Sequence, residues 1–372
     1  PTGAELEALV AEVRERGEAA RGEAIYRRPS ATCMNCHAIA GAGGRVGPDL
    51  ASVGASAPID YLVDSLYQPN KAVKEGYHSL VVATTSGKVI TGVKQREADG
   101  ELVLRDADDR EVVVPSKDIE ESKQGGSLMP AGLVDTLTRE EVVDLTRFLA
   151  ELGKVGPYSV GQARLARRWQ VLEATPENIN KLRRTRFDTA ATDPDLRWVP
   201  AYSRVDGTLP MADIPTMKPR ELEGTYGFAR TEIDVTTAGQ IKLKVAERDG
   251  LTLWVDGRPV GLNAETMLEL SQGKHVLTFS HDASRPASGL RCKQNDGSTV
   301  PLAGASRVGR SVQAERRRRR SGDGFGPGCF AAGDGSDVGQ GAALEQGAHV
   351  LADVGPYRQQ HALALVVAGA VL

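Results

Sequence analysis

Over the first thirty positions apolar residues recur at helical spacing, with Leu6, Leu9, Val10 and Val13 on one face and charged residues on the other. The pattern predicts one helix over 5–28, open to interruption near Gly17 and Gly22. A Gly-rich stretch over 41–47 ends at Pro48, and a helix is expected from Pro58 to Tyr67, where Pro69 stops it. The period then changes. Val81, Val82, Val89, Ile90, Val93, Leu102, Leu104, Val112, Val113 and Val114 fall in short runs separated by Ser86-Gly87, Asp99-Gly100 and Asp108-Asp109. Those are hairpin signals, and they predict a small antiparallel β insertion at about 77–118.

Helical spacing returns after a loop over 124–132. Thr138 followed by Glu141 reads as a capping box, ahead of a stripe made by Val142, Val143, Leu145, Phe148, Leu149 and Leu152. Gly153, Gly156 and Pro157 open a linker, assigned to 156–170. Strand signals dominate the stretch beyond it: Ile241, Leu243 and Val245 alternate with polar residues, 251–255 runs into the Asp256-Gly257 turn, and 275–280 is extended. A β-sandwich over 171–295 is the expected result. The fold class expected from the whole pattern is therefore multidomain α+β: a mainly α unit over 1–155 with its small β insertion, then a mostly β sandwich-like unit, then a tail.

That tail, 296–372, is compositionally different. It contains no Lys, Ile, Asn, Met or Trp and a single Thr, while Gly, Ala and Arg abound. Codons beginning with adenine are thus depleted together, as in a GC-rich gene read out of frame, and a disordered low-complexity tail is the other reading. Its removal is expected to leave both units folded.

Charge narrows the partners. Residues 1–155 carry 25 acidic and 18 basic side chains, and the remainder 24 and 28, so the first unit lacks the basic face that nucleic acid demands. No apolar run reaches the length of a membrane span, and the chain opens at Pro1 with no charged-then-apolar leader, so an export signal is expected to lie outside it.

The chemistry concentrates in Cys33-Met34-Asn35-Cys36-His37. Two thiols three residues apart on a helical turn reach the two vinyl groups on one porphyrin edge, and the following imidazole projects at the iron. Two other uses of such a pair are less well served. Zinc needs about four ligands, and Cys292 and Cys329 stand alone; a thioredoxin-like dithiol needs a βαβ setting that a preceding helix and following Gly-rich loop do not supply.

With these residues in view, 1–155 resembles the class I cytochrome c fold, and more closely a planctomycete-type haem-binding domain family in which a β insertion separates the attachment motif from the distal ligand loop. The resemblance is carried by Gly22-Glu23-Ala24-Ile25-Tyr26, by the motif itself, by the segment running from Gly44 and Arg45 through Pro48 and Leu50, by 71–77, and by Ser127-Leu128-Met129-Pro130. It implies one covalent haem c on Cys33 and Cys36, with His37 and Met129 as iron ligands. It also implies that the Pro48 carbonyl accepts the His37 ring proton and that Arg45 meets a propionate. His78 is the rival sixth ligand. The sandwich region resembles, more loosely, PA14-like or carbohydrate-associated modules through 253–260, although Trp254 reads as a core side chain rather than a sugar platform.

The function implied is electron transfer, serving a redox partner protein or a fused dehydrogenase, with no residue assigned a catalytic role. A haem enzyme with an open sixth position, peroxidase-like, is the competing class, and a glycan-binding module carrying an accessory cytochrome is the third. Because c-type attachment takes place outside the cytoplasm, the expected location is periplasmic or otherwise extracytoplasmic, or membrane-associated on that side.

Overall fold

The computed structural model describes residues 1–161, 163–218, 223–295 and 350–351; the tail reading falls outside them except at that last pair. The expected single N-terminal helix is two, α1 (Ala4–Arg16) and α2 (Ala19–Arg27), because Gly17 turns extended with ψ 131°. The chain continues through a one-turn helix α3 (Cys33–Cys36), a short hairpin β1 (Ala38–Ile39) and β2 (Ala42–Gly43), and helices α4 (Val53–Ser56) and α5 (Ile59–Tyr67). It returns after the β insertion as α6 (Arg139–Glu151), whose Thr138 and Glu141 make both bonds of the capping box.

Helices α2 and α6 cross at Gly22, where a Cβ would stand 2.1 Å from the Asp144 carbonyl oxygen and 2.6 Å from the Phe148 Cβ. Only a glycine lets the two backbones approach so closely. Asp144, on the buried side of α6, locks the crossing: its carboxylate accepts the Glu18 N–H at 2.7 Å and the Arg21 Nε at 2.6 Å. A buried carboxylate held by a helix N-terminus and a guanidinium is satisfied rather than destabilising. Around this crossing Leu9, Val13, Ile25, Tyr26, Leu62, Leu145 and Phe148 form one apolar core.

The β insertion is larger than expected. It is a five-stranded antiparallel sheet in the order β6-β5-β4-β3-β7, from β3 (Ser79–Thr84), β4 (Val89–Ala98), β5 (Glu101–Arg105), β6 (Glu111–Pro115) and β7 (Ile119–Gln124). Gly87, Gly100 and Asp109 take the left-handed conformations that the tight turns require, with φ of 79°, 77° and 61°. Val82, Leu102, Leu104 and Val114 give it a core of its own. The expectation of a mainly α cytochrome-like unit is accordingly corrected. Among the described residues the structure is 33% strand and 27% helix, mostly β with few helices, because the β-branched runs of the insertion and the sandwich outweigh the helical stripes.

The second unit packs two antiparallel sheets face to face. One runs Trp198–Tyr202, Arg168–Leu172, Tyr226–Val235, Gly273–Asp282, Leu251–Val255, Arg258–Val260; the other runs Thr266–Leu270, Gly239–Val245, Cys292–Asn295, Arg164–Leu165. Trp169, Ile233, Leu253 and Phe279 from the first meet Ile241, Leu243, Leu268 and Cys292 from the second. Strands thus begin at Arg164, inside the span read as linker. No helix among the described residues is long and apolar enough to cross a membrane.

The two units share an interface. Val205, in a sandwich loop, is 4% exposed within the core of the helical unit, and its N–H donates to the Glu23 carboxylate at 2.8 Å. Burial pushes the Glu23 carboxyl above its ordinary 4.5, against the smaller opposing pull of that N–H. The folded chain therefore holds this proton more tightly than the unfolded chain, and Glu23 makes stability fall as pH rises from about 4.5 through the raised value. Glu23→Gln keeps the acceptor and removes the charge. Denaturant midpoints recorded from pH 4 to 7 are expected to lose that downward component in the variant; an unchanged profile would contradict the assignment.

Candidate functional site

Everything local about the site starts at Thr32, whose left-handed φ of 56° swings the chain into the single turn of α3. The turn sets Cys33 and Cys36 three residues apart, and the His37 N–H closes it on the Cys33 carbonyl at 3.0 Å. Both thiols are free, and both line the same cavity of about 490 Å³ as His37. Its volume falls within the ~300–1,000 Å³ of ligand pockets. Leu62 and Leu66 from α5 and Leu145 and Leu149 from α6 supply apolar walls.

His37 is held from three sides. Its Nδ1 lies 2.9 Å from the Pro48 carbonyl oxygen, which can only accept, so Nδ1 carries the proton and Nε2 keeps its lone pair. Burial lowers the pKa of the imidazole, which favours the neutral ring that metal ligation needs. Gly47 passes directly beneath the ring: a Cβ there would stand 2.5 Å from Cε1 and 2.7 Å from Nδ1. Behind the residue, the buried Tyr26 hydroxyl donates to the His37 carbonyl oxygen at 2.7 Å.

Asp49 completes the cradle. Its carboxylate accepts the N–H groups of Ala40, Gly41 and Ala51 at 3.0, 2.9 and 2.8 Å, and so ties the β1–β2 turn to the strand of chain that carries Pro48. Sequence reasoning assigns Asp49 no role. The signal for one is an acidic residue just after Gly-Pro, facing a Gly-rich turn whose left-handed Ala40 and Gly41 leave amides to be satisfied.

Met129 lies in the loop between β7 and α6, half-buried against the helical core and on the cavity wall. Its N–H donates to the Ser127 hydroxyl at 3.1 Å, and the Ser127 N–H donates to the Asn70 side-chain oxygen at 2.8 Å, so the loop is pinned to the turn that follows α5. His78 is placed elsewhere, lining a separate depression with Glu75, Lys94 and Glu97. Arg45 is not on the cavity wall; its guanidinium stands 3.6 Å from the Asp109 carboxylate on the β5–β6 turn. Trp254 is 3% exposed and packs its ring on Phe187 at 5.5 Å, leaving no open face for a sugar.

The thiols are unlike those of a dithiol redox pair. Burial pushes Cys33 up to about 11 and raises Cys36 as well, whereas a reactive thiol is depressed by positive surroundings. No group of three or more His, Cys, Asp or Glu side chains that could hold a metal ion occurs among the described residues. Cys292 is buried in the sandwich core, and Cys329 lies outside the described residues. Two apolar-walled thiols on one turn, a neutral imidazole with a fixed tautomer and a thioether on the same cavity fit a covalently attached haem. Neither a scan against protein-family models nor a search of curated proteins matches the chain, so the donor set and its geometry carry the reading.

Proposed function

We propose that the helical unit would hold one haem c through Cys33 and Cys36, with His37 and Met129 as the residues that would ligate its iron, and that it transfers electrons. The observation that supports it best is the convergence of those four side chains on one apolar cavity, with the His37 tautomer set by Pro48. When bound, the group supplies one-electron oxidation and reduction. The chain's own residues do the rest. Pro48, Tyr26 and Gly47 fix the direction of the imidazole, and an acceptor on Nδ1–H makes Nε2 a stronger donor. The leucine walls keep water out and favour the less charged state. Met129 on the same cavity wall as His37 would supply a second ligand and leave no position for an oxidant, which favours a carrier over a peroxidase-like enzyme. The proposal places the chain outside the cytoplasm, where thioether attachment takes place, and gives it a redox partner protein or a fused dehydrogenase.

Purification from a host with haem-maturation machinery, followed by intact-mass measurement, is expected to show one haem added. In the loaded ferric protein Met129→Ala is expected to abolish the weak far-red sulfur-to-iron absorption band. It should also lower the potential by a sizeable share of the ~0.8 V that axial ligation spans. His78→Ala is expected to spare both. Retention of the band in the Met129 variant would show that another sulfur ligates the iron and would remove Met129 from the proposal.

A further inference from the structure

The β1–β2 turn behind His37 is held at both of its polar faces, but by different parts of the chain. Its amides go to Asp49. Its carbonyls go to the sandwich: Arg168 Nη1 donates to the Gly43 oxygen at 2.8 Å and to the Gly41 oxygen at 3.2 Å. The same guanidinium lies over the ring of Tyr202, 5.6 Å from its centroid. Arg168 and Tyr202 face each other across paired sandwich strands, so the cation is delivered from a rigid sheet rather than from a loop.

What Arg168 grips is in direct contact with the ligand residue. Gly43 pairs with Ala38, and its own surface is so close to His37 that a Cβ would stand 2.1 Å from the His37 carbonyl oxygen. One residue on, the Gly44 N–H donates to the Met34 carbonyl inside the attachment turn at 2.7 Å, and the Gly47 N–H donates to that of Cys36 at 2.7 Å. Gly41 and Gly43 take φ of 82° and 132°, backbone conformations that side chains disfavour, so the turn itself offers no side chain there to hold its carbonyls. Bonds from a partly buried cation to carbonyls are among the stronger ones available. The sandwich is kept in register by Val205 in the helical core, the Glu23 bond and the Arg27–Asp213 ion pair.

We infer that Arg168 is a positioning residue for His37: the sandwich unit reaches across the interface and clamps the turn on which the attachment motif and its imidazole rest. The inference about the imidazole's use rests on the haem proposal; the clamp itself does not. It gives the second unit a part in the site, rather than leaving it a passenger.

The test compares the full chain with Arg168→Met, which keeps the bulk and loses the donors, and with Arg168→Lys, which keeps a charge able to reach one carbonyl. In protein without haem, exchange of the Gly44 and Gly47 amide hydrogens is expected to be about tenfold faster in the Met variant, with most of the protection restored by Lys. In haem-loaded ferric protein, the low-temperature electron paramagnetic resonance g-values, which report the orientation of the axial imidazole plane, are expected to shift in the Met variant and return with Lys. Unchanged exchange at the two glycines overturns the clamp. So does an acceleration spread evenly over the whole chain without rescue by Lys, because that is loss of stability and not of positioning. Unchanged g-values in the Met variant overturn the positioning of His37. If the unaltered chain takes up no haem, the cofactor proposal fails and the exchange data alone decide the clamp.

Discussion

Replacing Cys33 and Cys36 together by alanine is expected to leave a folded chain that gives up all of its haem to acidified organic solvent, while the unaltered chain retains it. Either single replacement is expected to leave one thioether and therefore a covalently held group. Folding is expected to survive because both side chains stand at the cavity wall, only half-buried, with no partner that their loss would strand beyond the weak Cys33 bond to the Ala31 carbonyl at 3.4 Å. The cost of shortening each is on the order of 1 kcal/mol of buried apolar surface. Intact mass with and without denaturant separates covalent from loose binding. Complete release of haem from the unaltered chain would remove the attachment chemistry on which the proposed function depends.

Gly47→Val is expected to disable the same site without touching a ligand. A side chain at 47 enters the space of the imidazole, 2.5 Å from Cε1, and the ring can move only by leaving the Pro48 carbonyl. Overpacking in a closed site and loss of a buried hydrogen bond together are expected to destabilise the chain without haem by roughly 3 kcal/mol or more. In the loaded protein the same displacement is expected to weaken or break ligation by His37 and change the ferric absorption spectrum. Gly47→Ala is the milder control, expected to move both readouts in the same direction by less. A Val variant with unchanged denaturant midpoint and unchanged spectrum would show that the ring has room the structure does not give it.

The helix crossing at Gly22 marks how far a local pattern reaches. A glycine inside a helical stripe signals a possible interruption, and the pattern offers one near Gly17 and Gly22. The break falls at Gly17, while Gly22 remains helical and serves the close crossing with α6. The two glycines are alike in local pattern. Both pack against α6, Gly17 with a Cβ position 2.6 Å from the Arg147 Cβ and Gly22 with one 2.1 Å from the Asp144 carbonyl oxygen, contacts made by residues more than a hundred positions away.

Arg45, Met129 and His78 meet the same limit at the site. Their residue types suit the chemistry expected of them, but Arg45 stands against Asp109 rather than on the cavity wall, and His78 opens onto a different depression, while Met129 lies on the wall with the thiols. Nothing in the local sequence marks Arg168. It sits in an alternating strand among other arginines, and its significance appears only when the sandwich meets the β1–β2 turn.

By itself the sequence determined what depends on neighbours within a turn or two. The Cys33–His37 turn, the capping box at Thr138, the tight turns at Gly87, Gly100 and Asp109, and the alternation of the sandwich strands all rest on contacts between residues close in the chain, where residue type dictates geometry. The tertiary structure decided the partner of Arg45, the seat of Met129 and the reach of Arg168 to Gly41 and Gly43. Those depend on which distant surfaces pack together, and packing is settled by the summed burial of many side chains at once, so that no single position carries the information.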